Sequence, residues 1–144
     1  MASVSKAEAE EVLVEEKIIT ENLQWQRFST NHRLDAGVLA LASGRLLRLK
    51  GYVGRTNYSF TLLYNNSPIR KYTVHHHHKN PSGEVIYGPH KHTWDDVDED
   101  HWVYVPNNIS TDNPYAALLD FLAECNITLH GAAPAQEFGF QTFF

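Results

Sequence analysis

Cysteine is nearly absent from this 144-residue chain: Cys125 is the single one. That excludes an internal disulfide and any cysteine-based zinc cage, and it fits a reducing compartment. No apolar run approaches the length of a membrane span. The N-terminal MASVSKAEAEE has no apolar stretch after a basic region, so no signal peptide is expected and the chain is placed in the cytoplasm. There is no Gly-rich phosphate loop; GYVG and LASGR do not have that spacing. DDVDED at 95–100 lacks the glycine and terminal Glu of a calcium loop and reads as a solvated turn. Net positive charge is lacking as well. The formal charge of −5 gives a field that does not favour nucleic acid. A local basic stretch nevertheless runs through the middle third, with Arg45, Arg48, Lys50, Arg55, Arg70 and Lys71.

What is present suits a packed protein: 42% hydrophobic and 12% aromatic residues argue against disorder. The length fits one domain over 1–144. SKAE at 5–8 is capping-box chemistry, so a helix is expected over about 5–18 with Ala9, Val12 and Leu13 on its apolar face. QWQRF suggests a short strand, and HRLDAGVLALASG reads equally as a strand or a short helix. NYSFTLLY alternates, which puts Tyr58, Phe60, Leu62 and Tyr64 on one face. NNSP supplies a turn, so 57–78 reads as a hairpin. KNPSG gives a second turn, EVIYGPHKHTW a strand bent at Gly88-Pro89, and WVYVP one more. DNPYAALLDFLAECN predicts a helix with Asp112 or Asn113 as cap, Pro114 at its first position and a stripe of Tyr115, Leu118, Leu119, Leu122 and Cys125. Asn126 is placed to end it in a left-handed conformation. The predicted fold is α+β: an N-terminal helix, an antiparallel meander of about five strands, and a C-terminal helix packed on the sheet. The tail QEFGFQTFF is expected to dock on the core or on a partner, which makes a homodimer one expectation.

The chemistry concentrates between His75 and Trp94, where six of the nine histidines fall. Strand parity puts His90, His92 and Trp94 on one face, and the turn at 79–83 brings His75–His78 towards them. Three readings follow. Imidazoles near neutrality can share acid and base duty without metal. Cleavage of RNA would then use His78, His90 and His92, with a cation from Arg55, Arg70, Lys71 or Lys91 on the phosphate and no cofactor. Asn80 and Trp94 are further candidates for substrate contact. Alternatively His-x-His on a strand offers two ligands of one metal, with His76 and His78 completing a set with His90 and His92. Gly83, His90-x-His92 and Glu99 also resemble the cupin pattern in outline, although the gaps differ and the later glycine of that pattern is missing. The third reading is a polar rim on a sheet.

The order His78-x-Asn80-Pro81-x-Gly83, Gly88-Pro89-His90-x-His92, Trp102-x-Tyr104, Asp120-Phe121-Leu122 and Cys125-Asn126-Ile127 resembles a small prokaryotic family, the domain of unknown function numbered 6978. The chain departs from that family at Ser82, at Lys91 and in the histidine run before His78. The His-x-Asn-Pro and Pro-His-x-His layout is also similar to toxins of the TumE type. These resemblances imply a protein of phages and mobile elements, toxin-like or active in phage–host conflict. A histidine-dependent ribonuclease is the first functional expectation, with a cognate antitoxin or defence protein as partner. The second is a non-enzymatic inhibitor or adaptor whose acidic segments meet a basic partner. The third is a metal-dependent enzyme on a small β-barrel.

Overall fold

The structure is a computed structural model, and it describes residues 4–74, 77–95, 97–109 and 113–131. Helix α1 (Lys6–Val14) leads into short strands β1 (Lys17–Ile19) and β2 (Gln26–Phe28). The long central strands follow: β3 (Asn31–Ala40), β4 (Leu46–Val53), β5 (Tyr58–Tyr64) and β6 (Ser67–Thr73). A small hairpin, β7 (His78–Lys79) and β8 (Val85–Ile86), precedes β9 (His90–Asp95) and β10 (Glu99–Tyr104). Helix α2 (Pro114–Glu124) and β11 (Ile127–Leu129) complete the described fold.

The meander is larger than the five strands expected. Among the described residues, nine strands form one sheet, in the order β10-β9-β6-β5-β4-β3-β1-β11, with β2 paired to β3. Strands β1 and β11 run parallel; the other neighbours are antiparallel. This path has two ends, so among the described residues the sheet is not the closed barrel of the third expectation. The undercount has a physical cause. Strands of three residues, such as β1 and β11, are too short for alternation to register, whereas QWQRF, expected as a short strand, does contain β2. Residues 31–40 are a strand, with burial alternating from Leu34 to Ala40.

Local chemistry explains the clearest elements. The Ser5 hydroxyl accepts the Glu8 N–H and starts α1, which ends at Val14 rather than near 18 because Glu15 is already extended. Lys17 sits wholly inside, its ammonium donating to the carbonyls of Val12, Leu13 and Glu15. It thereby satisfies the end of α1 with three charge-assisted hydrogen bonds. Burial pulls its pKa down to about 8. The β5–β6 turn carries Asn65 and Asn66 at φ of 50° and 65°, the asparagine-rich geometry that tight hairpins select. Asn113 caps α2 through the Ala116 N–H, and Asn126 ends it at φ 57°.

One continuous core joins both helices to the sheet. Tyr58, Phe60, Leu62 and Tyr64 all point into it, as their alternation predicted, and Phe60 meets Phe121 of α2 at 6.1 Å between ring centres. The buried face of α2 is rotated from the predicted stripe: Ala117 and Phe121 are buried, whereas Leu119 is exposed. Cys125 is fully buried, which pushes its thiol up to about 12. A bulge between β5 and β6 accommodates Ile69, so Ile69 is buried while neighbouring Arg70 reaches Glu124 on α2. The phenylalanine-rich tail lies outside the described residues.

Candidate functional site

Strands β6 and β9 pair directly, with Lys71 opposite His92 and Thr73 opposite His90. The segment between them leaves the sheet and folds back as the β7–β8 hairpin. The expected neighbourhood of His78, His90 and His92 therefore forms, but by another route. Of the histidine run, the described residues His77 and His78 do not pair with β9; the hairpin delivers His78 over it.

The hairpin is latched to β10. The Asn80 side-chain amide donates to the Val103 carbonyl at 3.0 Å, and its oxygen accepts the Val103 N–H at 2.8 Å. One asparagine thus occupies both hydrogen-bonding groups of a residue in an edge strand, as a further strand would. Its own N–H and carbonyl close the hairpin turn through Glu84 and Gly83.

The three imidazoles lie together, with ring centres 5.0 Å apart for His90 and His92, 5.3 Å for His78 and His92, and 5.9 Å for His78 and His90. Each has one nitrogen committed to a backbone carbonyl. His90 Nδ1 donates to Gly88 and His92 Nδ1 donates to Asp100, both at 2.8 Å, and His78 Nε2 donates to His101. A carbonyl only accepts, so the proton sits on those nitrogens. The lone pair of each neutral ring is then on Nε2 of His90 and His92 and on Nδ1 of His78. One candidate ligand atom from each ring lies within 4.8 Å of the other two. A tetrahedral metal about 2.0–2.1 Å from three imidazole nitrogens sets their ring centres roughly 5 Å apart, close to the spacing here. His90 and His92 are buried and His78 partly so. Burial, against the pull of the Asp100 hydrogen bond, holds His92 down at about 4, with His90 and Lys71 adding to the shift. His92 is therefore neutral at pH 7, the form that ligates metal.

The other predicted residues divide. Lys71 lines the cleft over the histidines, together with Asn57, Ser59, Thr73 and His77. Arg70 and Lys91 do not: both are paired with Glu124 of α2. Burial pushes the Glu124 carboxyl up, but hydrogen bonds from Lys91 and Asn108 and the charge of Arg70 outweigh that and hold it below the usual range. Arg55 is exposed in the β4–β5 turn. Asn80 is a latch and does not line the histidine cleft; with Arg70 and Trp94 it lines a separate cavity of about 520 Å³. Trp94 is buried in the core, past the end of the β6–β9 ladder, and donates to the Val4 carbonyl at 2.7 Å. His76 lies outside the described residues. Within DDVDED, Asp95 accepts the Val97 N–H in a local turn, while Glu99 and Asp100 already belong to β10. Sequence reasoning missed the carbonyls of Gly88, Asp100 and His101, because backbone acceptors leave no residue-type signal.

A model of the Family of unknown function (DUF6978) matches residues 4–127, most of the chain and all three histidines. The chain belongs to this family. The DUF6978 match takes in α1 and every strand up to the start of β11, and it extends the resemblance, carried by motifs from His78 to Ile127, to the N-terminal half. No curated protein and no solved structure matches the chain, so the likeness to TumE-type toxins finds no support there. Among the described residues, no helix is long and apolar enough to cross a membrane.

Proposed function

We propose that this DUF6978 protein is a metal-dependent hydrolase with a mononuclear centre at His78, His90 and His92. One observation carries the reading: each of the three clustered rings is oriented by a hydrogen bond from one nitrogen to a backbone carbonyl, leaving the other nitrogen as lone-pair donor. Metal-ligating histidines are typically held this way. Three protein ligands beside an open cleft leave a fourth position for water or substrate, the arrangement of catalytic rather than structural zinc. A bound divalent ion there supplies Lewis acidity and lowers the pKa of water.

Metal-free acid–base catalysis is the weaker reading for the same residues. It needs one imidazolium beside one imidazole. Burial keeps His92 neutral, and the adjacent Lys71 opposes a further positive charge. A small hydrolase also suits the phage–host conflict role that the resemblance implies.

The test uses untagged protein carrying His75→Ala and His76→Ala, so that the histidine run does not bind metal adventitiously. Hydrolysis of a panel of ester substrates is followed after EDTA treatment and after return of zinc, manganese, cobalt or nickel. Activity that vanishes with EDTA, returns with a metal and is lost in His90→Ala and His92→Ala supports the proposal. Activity that ignores EDTA yet still needs His90 and His92 returns the site to metal-free catalysis.

A further inference from the structure

We infer that the group taken at this centre is the phosphoryl group of a phosphate ester, held by Lys71 and Thr73 beside the three histidines. This rests on the metal reading above and adds the substrate class.

The cleft is about 330 Å³, and its lining is one-sided in chemistry. Asn57, Ser59, Lys71, Thr73 and His77 join the three histidines, and no carboxylate is among these lining residues. A chain of net charge −5 has thus kept acid out of this cleft and placed a lysine in it. With a divalent ion on the histidines, the cleft is strongly cationic and selects an anion.

Register places the groups. Ser59 of β5 lies opposite Thr73 of β6, which lies opposite His90 of β9. In the next row Lys71 lies opposite His92. Hydroxyl and ammonium donors therefore stand one strand away from the ligands, at the roughly 5 Å spacing of cross-strand neighbours. The second observation is independent of charge. Thr73 is 8% exposed, and its Oγ1 is buried without a hydrogen-bond partner among the described residues. A buried hydroxyl left unsatisfied costs about 1–3 kcal/mol; Thr73 is among the residues that line the cleft, so a ligand oxygen reaching Oγ1 would recover that cost. Three kinds of partner for oxygen, namely a Lewis-acidic metal and the hydrogen-bond donors ammonium and hydroxyl, match a tetrahedral group with several oxygens better than a planar carboxylate with two.

The reaction is hydrolysis. The oxygen of water bonds to phosphorus, and the bond from phosphorus to the ester oxygen breaks. One proton of the water ends on the leaving alcohol, and the hydroxyl stays on phosphorus. No electrons are exchanged with a third party.

The experiment is run throughout in the His75→Ala/His76→Ala background, and compares zinc-loaded parent protein with wild-type Lys71 and Thr73 against Lys71→Ala and Thr73→Val, each checked for zinc stoichiometry and melting temperature. Calorimetry measures binding of inorganic phosphate, with acetate as control. Turnover is measured on bis(p-nitrophenyl) phosphate, p-nitrophenyl phosphate and p-nitrophenyl acetate. Phosphate should bind to the parent, and more weakly by about tenfold or more in Lys71→Ala, the worth of one charge-assisted hydrogen bond. Thr73→Val should show a smaller loss, and at least one phosphate ester should be cleaved with KM raised in Lys71→Ala. Zinc bound normally with phosphate no better than acetate, or with phosphate affinity unchanged in Lys71→Ala, overturns this inference and leaves the metal centre standing. Absence of zinc binding by the parent overturns both.

Discussion

Replacing Asn80 by Leu should weaken metal binding without touching a ligand. Asn80 is 4% exposed, and its side chain makes two hydrogen bonds to Val103. Each neutral hydrogen bond contributes about 0.5–1.5 kcal/mol net, and a buried N–H or C=O left alone costs about 1–3 kcal/mol. Leucine fills the space but removes both bonds and strands both groups of Val103, for a loss of about 2–4 kcal/mol. That loss falls on closure of the β7–β8 hairpin, because Val103 stays registered with His92 on the other side of β10. His78 rides on this hairpin. An apparent metal affinity scales with the fraction of molecules holding the closed arrangement. A cost of about 2 kcal/mol therefore weakens binding by up to roughly thirtyfold. Asn80→Asp keeps the acceptor for the Val103 N–H and loses the donor, so its effect should be intermediate. A competition titration with a zinc indicator reads the affinity, and hydrogen exchange of the 78–86 amides reads hairpin opening. Zinc affinity within twofold of wild type in a folded Asn80→Leu protein would refute the latch.

Glu124→Ala should be among the more damaging single changes outside the core, because it strands the buried Lys91 ammonium and the partly buried Arg70 guanidinium. Breaking a buried pair costs about 3–5 kcal/mol, and urea unfolding should show a lower midpoint with little change in slope. The metal-free protein should also lose stability in acid. His92 titrates near 4 when folded against about 6.5 when unfolded, so between those values the unfolded chain binds more protons. Stability therefore falls as pH drops from about 6.5 towards 4, by up to about 3 kcal/mol for this group. His92→Gln should flatten that part of the urea-midpoint profile; an unchanged slope would place the acid sensitivity elsewhere.

Local chemistry was legible in the sequence, and long-range pairing was not. Asn65-Asn66 flanked by alternating residues is a hairpin signal that needs no tertiary context, and so is the Asn113-Pro114 start of α2. The parallel pairing of Lys17–Ile19 with Ile127–Leu129 joins segments more than a hundred residues apart, and three residues carry no period. The same division holds at the site. His-x-His on β9 announced two of the three candidate ligands, and the turn residues Asn80 and Gly83 announced that the chain folds back. What reads ambiguously is a basic residue's direction. Arg70 and Lys71 are neighbours, so strand alternation sends them to opposite faces, Arg70 to α2 and Lys71 to the cleft; which face is which depends on how the sheet is covered. Lys17 escaped notice for a related reason: its role is to satisfy three carbonyls at the end of α1, and nothing in its own residue type announces burial.

X-ray absorption at the zinc edge, on protein carrying His75→Ala and His76→Ala and loaded with one equivalent of zinc, tests the central claim most directly. The account predicts one tightly held ion with about three imidazole nitrogens and one oxygen ligand, all at about 2.0–2.2 Å, and no retained zinc in His90→Ala/His92→Ala. Zinc lost on gel filtration from the parent protein, or an unchanged spectrum in the double alanine variant, would contradict it.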